Sequence, residues 1–261
     1  MKTSDLNLGV TIAFLLSACV LAGCGGTKVL KDPEPLVVTQ SLATASDQRV
    51  AATLDWVIVR NGPGTWAKNV DWDEYLIRVQ NLTGDSIRIT NIAVLDSIGT
   101  RVESRENRKQ LVKGTKDTKR RYKGEGLTVK AGAGAGTIMV GGVAAVAGGV
   151  GVMALAGGPL AAGSGAAAAS VGLVLAAPVL VVGGVLRGMN NSKVNKQIIS
   201  RQTLLPIVLQ EEEEKILDIF FPLTPSPRQI EFTYVDSRGN HTLIIDVHTA
   251  LEGLHLVPAD K

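Results

Sequence analysis

Residues 131–186 contain no charged side chain, and more than half of them are Ala or Gly. Only Thr137, Ser164 and Ser170 are polar. A stretch of this kind, placed mid-chain, divides whatever fold the rest of the sequence encodes into two halves. Gly157-Gly158-Pro159 interrupts it near its middle. Each arm, 137–156 and 166–186, then has about the 20 residues that a helix needs to cross a bilayer. Val, Leu, Ile and Met are scattered along both arms, whereas a flexible linker is more polar. The segment therefore reads as a two-helix apolar hairpin inserted in a membrane. A helical pair buried against protein and a low-complexity linker are the alternatives.

Small residues recur at four-residue spacing: Gly132 with Gly136, Ala144 with Gly148, Ala145 with Gly149, and Gly184 with Gly188. In lipid, helices associate through close backbone contact, which small residues allow. The expected packing positions are Gly132, Gly136, Gly148, Gly149, Gly184 and Gly188. This pattern resembles the glycine-zipper hairpins of some bacterial outer-membrane lipoproteins. The start of the stretch, Gly132-Ala133-Gly134-Ala135-Gly136, spaces its glycines as GxGxG and has no acidic residue about 20 positions later, so it does not fit a dinucleotide loop.

The N-terminus points to the same compartment. Lys2 precedes an apolar run that ends in Leu21-Ala22-Gly23-Cys24, as a secretory signal with a small-residue cleavage site does. Those four residues resemble a bacterial lipobox. The resemblance implies removal of residues 1–23 and lipidation of Cys24, and Gly25 in place of Asp implies delivery to the outer membrane, facing the periplasm. Cys19 would leave with the signal, so the mature chain has no disulfide partner for Cys24. Residues 24–48 read as a lipidated tether.

The two flanks of the apolar stretch are β-rich. Residues 54–59, 75–79, 86–90, 92–95, 203–209, 216–221, 230–235 and 242–247 carry strand signals separated by turn residues. A mainly β fold follows, an immunoglobulin-like antiparallel sandwich with its first half at 49–130 and its second at 187–261, interrupted by the helical hairpin.

Residues 101–130 hold eleven Lys or Arg against four Asp or Glu. Lys119, Arg120, Arg121, Lys123, Lys130 and, beyond the apolar stretch, Arg187 are the candidates for contact with anionic head groups; a solvated loop is the bland reading. Basic flanks on both sides conflict with simple insertion into the inner membrane, where such residues stay cytoplasmic. Glu211 to Glu214 reads as a solvated turn.

Nothing points to catalysis. His241, His248 and His255 are the only histidines, and their spacing on strands does not make a metal set. Trp56 is expected in the core, and Trp66 packed or at a loop tip. No cofactor and no nucleic acid are expected. The function that follows is structural or interaction work by a lipid-anchored envelope protein, a homo-oligomer or part of an envelope assembly, self-associating through the hairpin. An oligomeric pore is the alternative.

Overall fold

The computed structural model describes residues 26–33, 35–132, 173–175 and 187–257. The strands are β1 (Lys28–Val29), β2 (Leu36–Val38), β3 (Ala43–Ser46), β4 (Val50–Ile58), β5 (Ala67–Lys68), β6 (Trp72–Asn81), β7 (Ile87–Leu95), β8 (Arg101–Glu103), β9 (Thr128–Val129), β10 (Leu173–Leu175), β11 (Ile207–Leu209), β12 (Glu214–Pro222), β13 (Gln229–Asp236), β14 (Gly239–Asp246) and β15 (Leu256–Val257). Among the described residues two helices join them, α1 (Arg108–Gly124) and α2 (Arg187–Arg201).

The protein is mainly β, and its sheets are antiparallel. One sheet has the order β12-β6-β4-β3. The other has the order β11-β7-β13-β14, with β8 also paired to β7. Alternation along each strand sends one set of side chains inward. Tyr75, Ile77 and Val79 of β6 meet Ile89, Ile92, Phe232 and Ile245 of the opposite sheet in one buried cluster. A bulge between Leu54 and Trp56 resets the alternation in β4, so Leu54 and Val57 both point into that core while Trp56 and Ile58 turn outward.

The outward face of the first sheet is also apolar, and the helices cover it. Val194 and Ile198 of α2 and Leu111 of α1 pack with Trp66, Trp72 and Phe220. Trp66 is buried there, not at an exposed loop tip. Leu36 and Val38 of β2 pack beside them on Trp56, Ile58 and Leu76.

Four expectations change. The basic stretch expected as part of the β half or as a loop contains a helix, α1. The half beginning at 187 opens with α2. The second arm of the hairpin, expected as helix over 166–186, includes β10, whose backbone pairs with β2 from Leu173↔Val38 to Leu175↔Leu36; the free edge of β2 offers an extended segment hydrogen bonds that a helix would not make. The remainder of that arm and the whole first arm lie outside the described residues, as do Leu21, Ala22, Gly23, Cys24, Gly136, Gly148, Gly149 and Gly184. Among the described residues no helix is long and apolar enough to cross a membrane. The segment expected as a tether carries β1, β2 and β3, with β3 paired to β4 from Ala43↔Leu54 to Ser46↔Ala51.

Gly114 sets how closely α1 approaches the sheet. A Cβ there would sit 2.4 Å from Pro222 Cγ, well inside van der Waals contact. Gly114→Ala is expected to lower stability by about 1–3 kcal/mol, as overpacking does, despite the better helix propensity of Ala. A fall in the urea midpoint checks it.

Candidate functional site

α1 forms because its ends and one face are satisfied. Asn107 caps it, its side chain accepting from the Gln110 N–H at 3.0 Å. The C-terminus closes with Gly126 at φ +74°, the Gly126 N–H donating to Lys123 O and the Leu127 N–H to Tyr122 O, a Schellman arrangement. Leu111, Thr115, Thr118 and Tyr122 are buried against the fold. The Thr115 hydroxyl donates to Asp71 O at 2.6 Å and accepts from the Leu223 N–H at 2.9 Å. The Tyr122 hydroxyl lies 3.2 Å from Pro225 O and 2.8 Å from Ser97 Oγ.

The opposite face is basic. Lys109, Lys113, Lys116, Arg120 and Lys123 are all exposed. Their spacing of four, three, four and three residues keeps them within an arc of about 80° on a 3.6-residue helix. Arg121 and Lys123 in the last turn suit the helix dipole, but Arg108 and Lys109 occupy a first turn with no acidic residue, where positive charge is opposed.

The six basic candidates separate. Lys119 turns toward Asp71 at 3.6 Å and Arg121 toward buried Asp96 at 3.8 Å, so both serve the fold's own carboxylates. Arg120 reaches Asp117 at 3.8 Å yet stays 83% exposed. Lys123 and Lys130 are exposed. Arg187 opens α2, and Gly188 follows it in the first turn. Gly132, the second residue of the apolar segment, has φ +117°. Lys109, Lys113 and Lys116 were not singled out from the sequence. The signal that finds them is their helical spacing, which a count of charges over residues 101–130 does not reveal.

Behind the helices, β6 carries two adjacent buried acids on opposite faces. Glu74 faces α2. Its Oε1 accepts from Arg201 Nε at 2.9 Å and Nη2 at 2.7 Å, and its Oε2 accepts from Trp66 Nε1 at 2.7 Å. The Arg201 guanidinium also lies over the Trp66 ring, 5.6 Å from its centroid. Asp73 faces the other way, its Oδ2 2.6 Å from Nε2 of His255, and both residues are wholly buried. Burial pushes the Asp73 carboxyl up against the opposing pull of His255, and holds the Tyr75 hydroxyl well above its ordinary value.

The cavity beside Trp66 and Glu74 is about 10 Å³, room for one water at most. A wider groove, about 430 Å³, runs along the start of α1 between Arg105, Lys113, Glu106 and Asp117 and carries both signs of charge. His241 is engaged with Asp236 at 2.9 Å, and His248 is exposed in the turn after β14. No group of three or more His, Cys, Asp or Glu among the described residues could hold a metal ion.

Asp218 sits half-buried beside the Glu74–Arg201 pair. Its carboxyl is pushed up to about 7, first by burial, then by the charge of Glu74, with Arg201 opposing. In the unfolded chain it ionises near 3.8. Between those values the folded protein holds a proton that the unfolded chain has lost, so stability falls as pH rises through that window. Asp218→Asn is expected to flatten this slope and to add about 1–2 kcal/mol at pH 8, after allowance for partial exposure. Thermal melts of both proteins at pH 4, 6 and 8 check it.

No family model, curated protein or solved structure matches the chain.

Proposed function

We propose that this protein is a lipid-anchored component of the bacterial outer membrane, facing the periplasm, with a structural or protein-interaction role at the membrane surface. In this reading Cys24 carries the lipid, the two stacked sheets are an immunoglobulin-like sandwich, and the uncharged segment between α1 and α2 provides a second attachment and a surface for self-association. Two such signals turn marginal membrane binding into stable anchoring.

The observation that carries the reading is the position of Thr27. It is buried, its hydroxyl lies 3.4 Å from Asn69 O, and Arg108 Nη2 donates to it at 3.2 Å. Only Gly25 and Gly26 separate it from Cys24. The chain leaving the anchor is thus pinned directly to the first residue of the basic helix. α2, which returns from the uncharged segment, docks alongside, with Asn195 Oδ1 accepting from the Arg108 N–H at 3.0 Å. The chain from Gly26 onward, the basic helix and α2 pack together on one side of the first sheet.

Cys24→Ala tests it. In cells fed labelled palmitate the wild-type protein is expected to take up label and to fractionate with outer membranes. The variant is expected to lose the label, to retain residues 1–23 and to shift substantially out of the outer-membrane fraction. Undiminished labelling of the variant overturns the reading. A variant that became wholly soluble would remove the uncharged segment from the account while leaving the lipid anchor.

A further inference from the structure

We infer that the exposed face of α1 lies along a layer of anionic phospholipid head groups, with Lys109, Lys113, Lys116, Arg120 and Lys123 as the contact residues. The inference rests on the lipid anchor at Cys24 and adds the orientation of the folded domain and the chemistry of what it touches.

Three observations converge. The first is the stripe itself. Five like charges share one narrow face, opposite the side that Leu111, Thr115, Thr118 and Tyr122 bury. Among the described residues only Arg120 of the five has an acidic partner. The helix gains nothing from Lys109 in its first turn, since the dipole opposes it there. The charges are arranged for a partner outside the fold.

The second is the leash. Two residues separate Cys24 from Thr27, and the three Cα-to-Cα steps between them reach at most about 10 Å. Arg108 holds Thr27, and Arg108 is where α1 begins. A lipid on Cys24 therefore brings Thr27 within about one Debye length of the membrane surface, and the N-terminal end of the stripe follows one arginine side chain further on.

The third is shape. α1 has 17 residues, about 25 Å of straight helix. A straight row of cations of that length matches a flat sheet of phosphates better than one compact anion. Each basic residue near an anionic surface shifts the bound population about fivefold. The row acts on orientation, because the lipid has already supplied proximity.

Lysine footprinting tests this on the mature lipidated protein. It is reconstituted into vesicles of phosphatidylcholine alone, or of phosphatidylcholine with about 30% phosphatidylglycerol, which supplies an anionic surface. Acetylation is then read at each lysine by mass spectrometry. Lys109, Lys113, Lys116 and Lys123 are expected to react about fivefold more slowly on the anionic vesicles. Lys215, seven residues along β12 from the Pro222 on which α1 rests, is expected to react equally on both. A variant with Lys113→Glu and Lys116→Glu is expected to lose the protection at Lys109 and Lys123. Equal reactivity on the two vesicles, protection of Lys215 to the same degree, or protection of the stripe by free inorganic phosphate on neutral vesicles overturns the inference. The same spectra report the N-terminal peptide. If it lacks lipid, the anchor reading and this inference both fall. If lipid is present without selective protection, only this inference falls.

Discussion

Arg201→Met is expected to lower the free energy of unfolding by about 3–5 kcal/mol at pH 7, the cost of leaving one member of a buried ion pair behind. Glu74 has 2% of its side chain exposed and Arg201 12%. Arg201 gives Glu74 two hydrogen bonds to one oxygen, and its guanidinium lies over the ring of Trp66, which itself bonds the other oxygen. Met replaces the aliphatic stem and little else, so the loss reports on charge and hydrogen bonding. Surface pairs behave differently: Arg120→Met removes a 3.8 Å contact from an 83% exposed side chain and is expected to cost less than about 0.5 kcal/mol. The double variant Glu74→Gln with Arg201→Met is expected to recover at least half of the loss, because no buried charge is then stranded. Urea unfolding of the four proteins gives the cycle. Amide exchange across α2 locates the damage, since Arg201 is the last residue of the helix that packs through Val194 and Ile198. A single variant with wild-type stability would mean that water already reaches Glu74.

These buried acids were not legible in the sequence, and the reason is distance. Asp73 and Glu74 sit in a stretch whose acidic residues look solvent-facing. Their partners lie far along the chain: His255 is 182 residues from Asp73 and Arg201 127 from Glu74. Only pairing of β6 with β12, and docking of α2 on the result, brings Arg201 to Glu74. The strands were legible because burial is local in pattern. Tyr75, Ile77 and Val79 alternate inward along β6, and the expected strands near 230–235 and 242–247 coincide with β13 and β14 to within a few residues. α1 escaped notice because two of its four buried residues are threonines, which blur the apolar period. Its exposed face had a clear helical spacing, but of charge instead of hydrophobicity. The early strands β1 to β3 were hidden by shortness, at two to four residues each.

His255→Asn is the second large effect, and pH resolves it. His255 has φ +62°, a conformation that Asn tolerates better than most residues, so the substitution removes the imidazole without adding much backbone strain. What remains is Asp73, wholly buried. Burial already raises its carboxyl above 3.8, and His255 pulls it down, through charge and hydrogen bond. Without His255 the folded carboxyl holds its proton to higher pH still. A group raised in the folded state binds more protons there than in the unfolded chain, so stability falls as pH climbs from about 4 toward the folded value. Removing His255 extends and deepens that fall. The variant is expected to lose about 1–2 kcal/mol at pH 4.5, where a protonated Asp73 is tolerated, and about 3–5 kcal/mol at pH 8, where it must ionise alone or keep its proton at a cost. Asp73→Asn on top of His255→Asn is expected to abolish the difference between the two pH values. The damage should spread along the chain in a particular direction. The His255 carbonyl accepts from the Lys130 N–H at 3.0 Å, and β15 pairs with β9 beside it, so amides 128–130, at the exit toward the uncharged segment, are expected to exchange faster than those of β13. Denaturant titrations at the two pH values, with exchange read at residues 128–130, measure both parts. A pH-independent loss would show that His255 contributes packing alone and that Asp73 stays neutral in the native protein throughout this range.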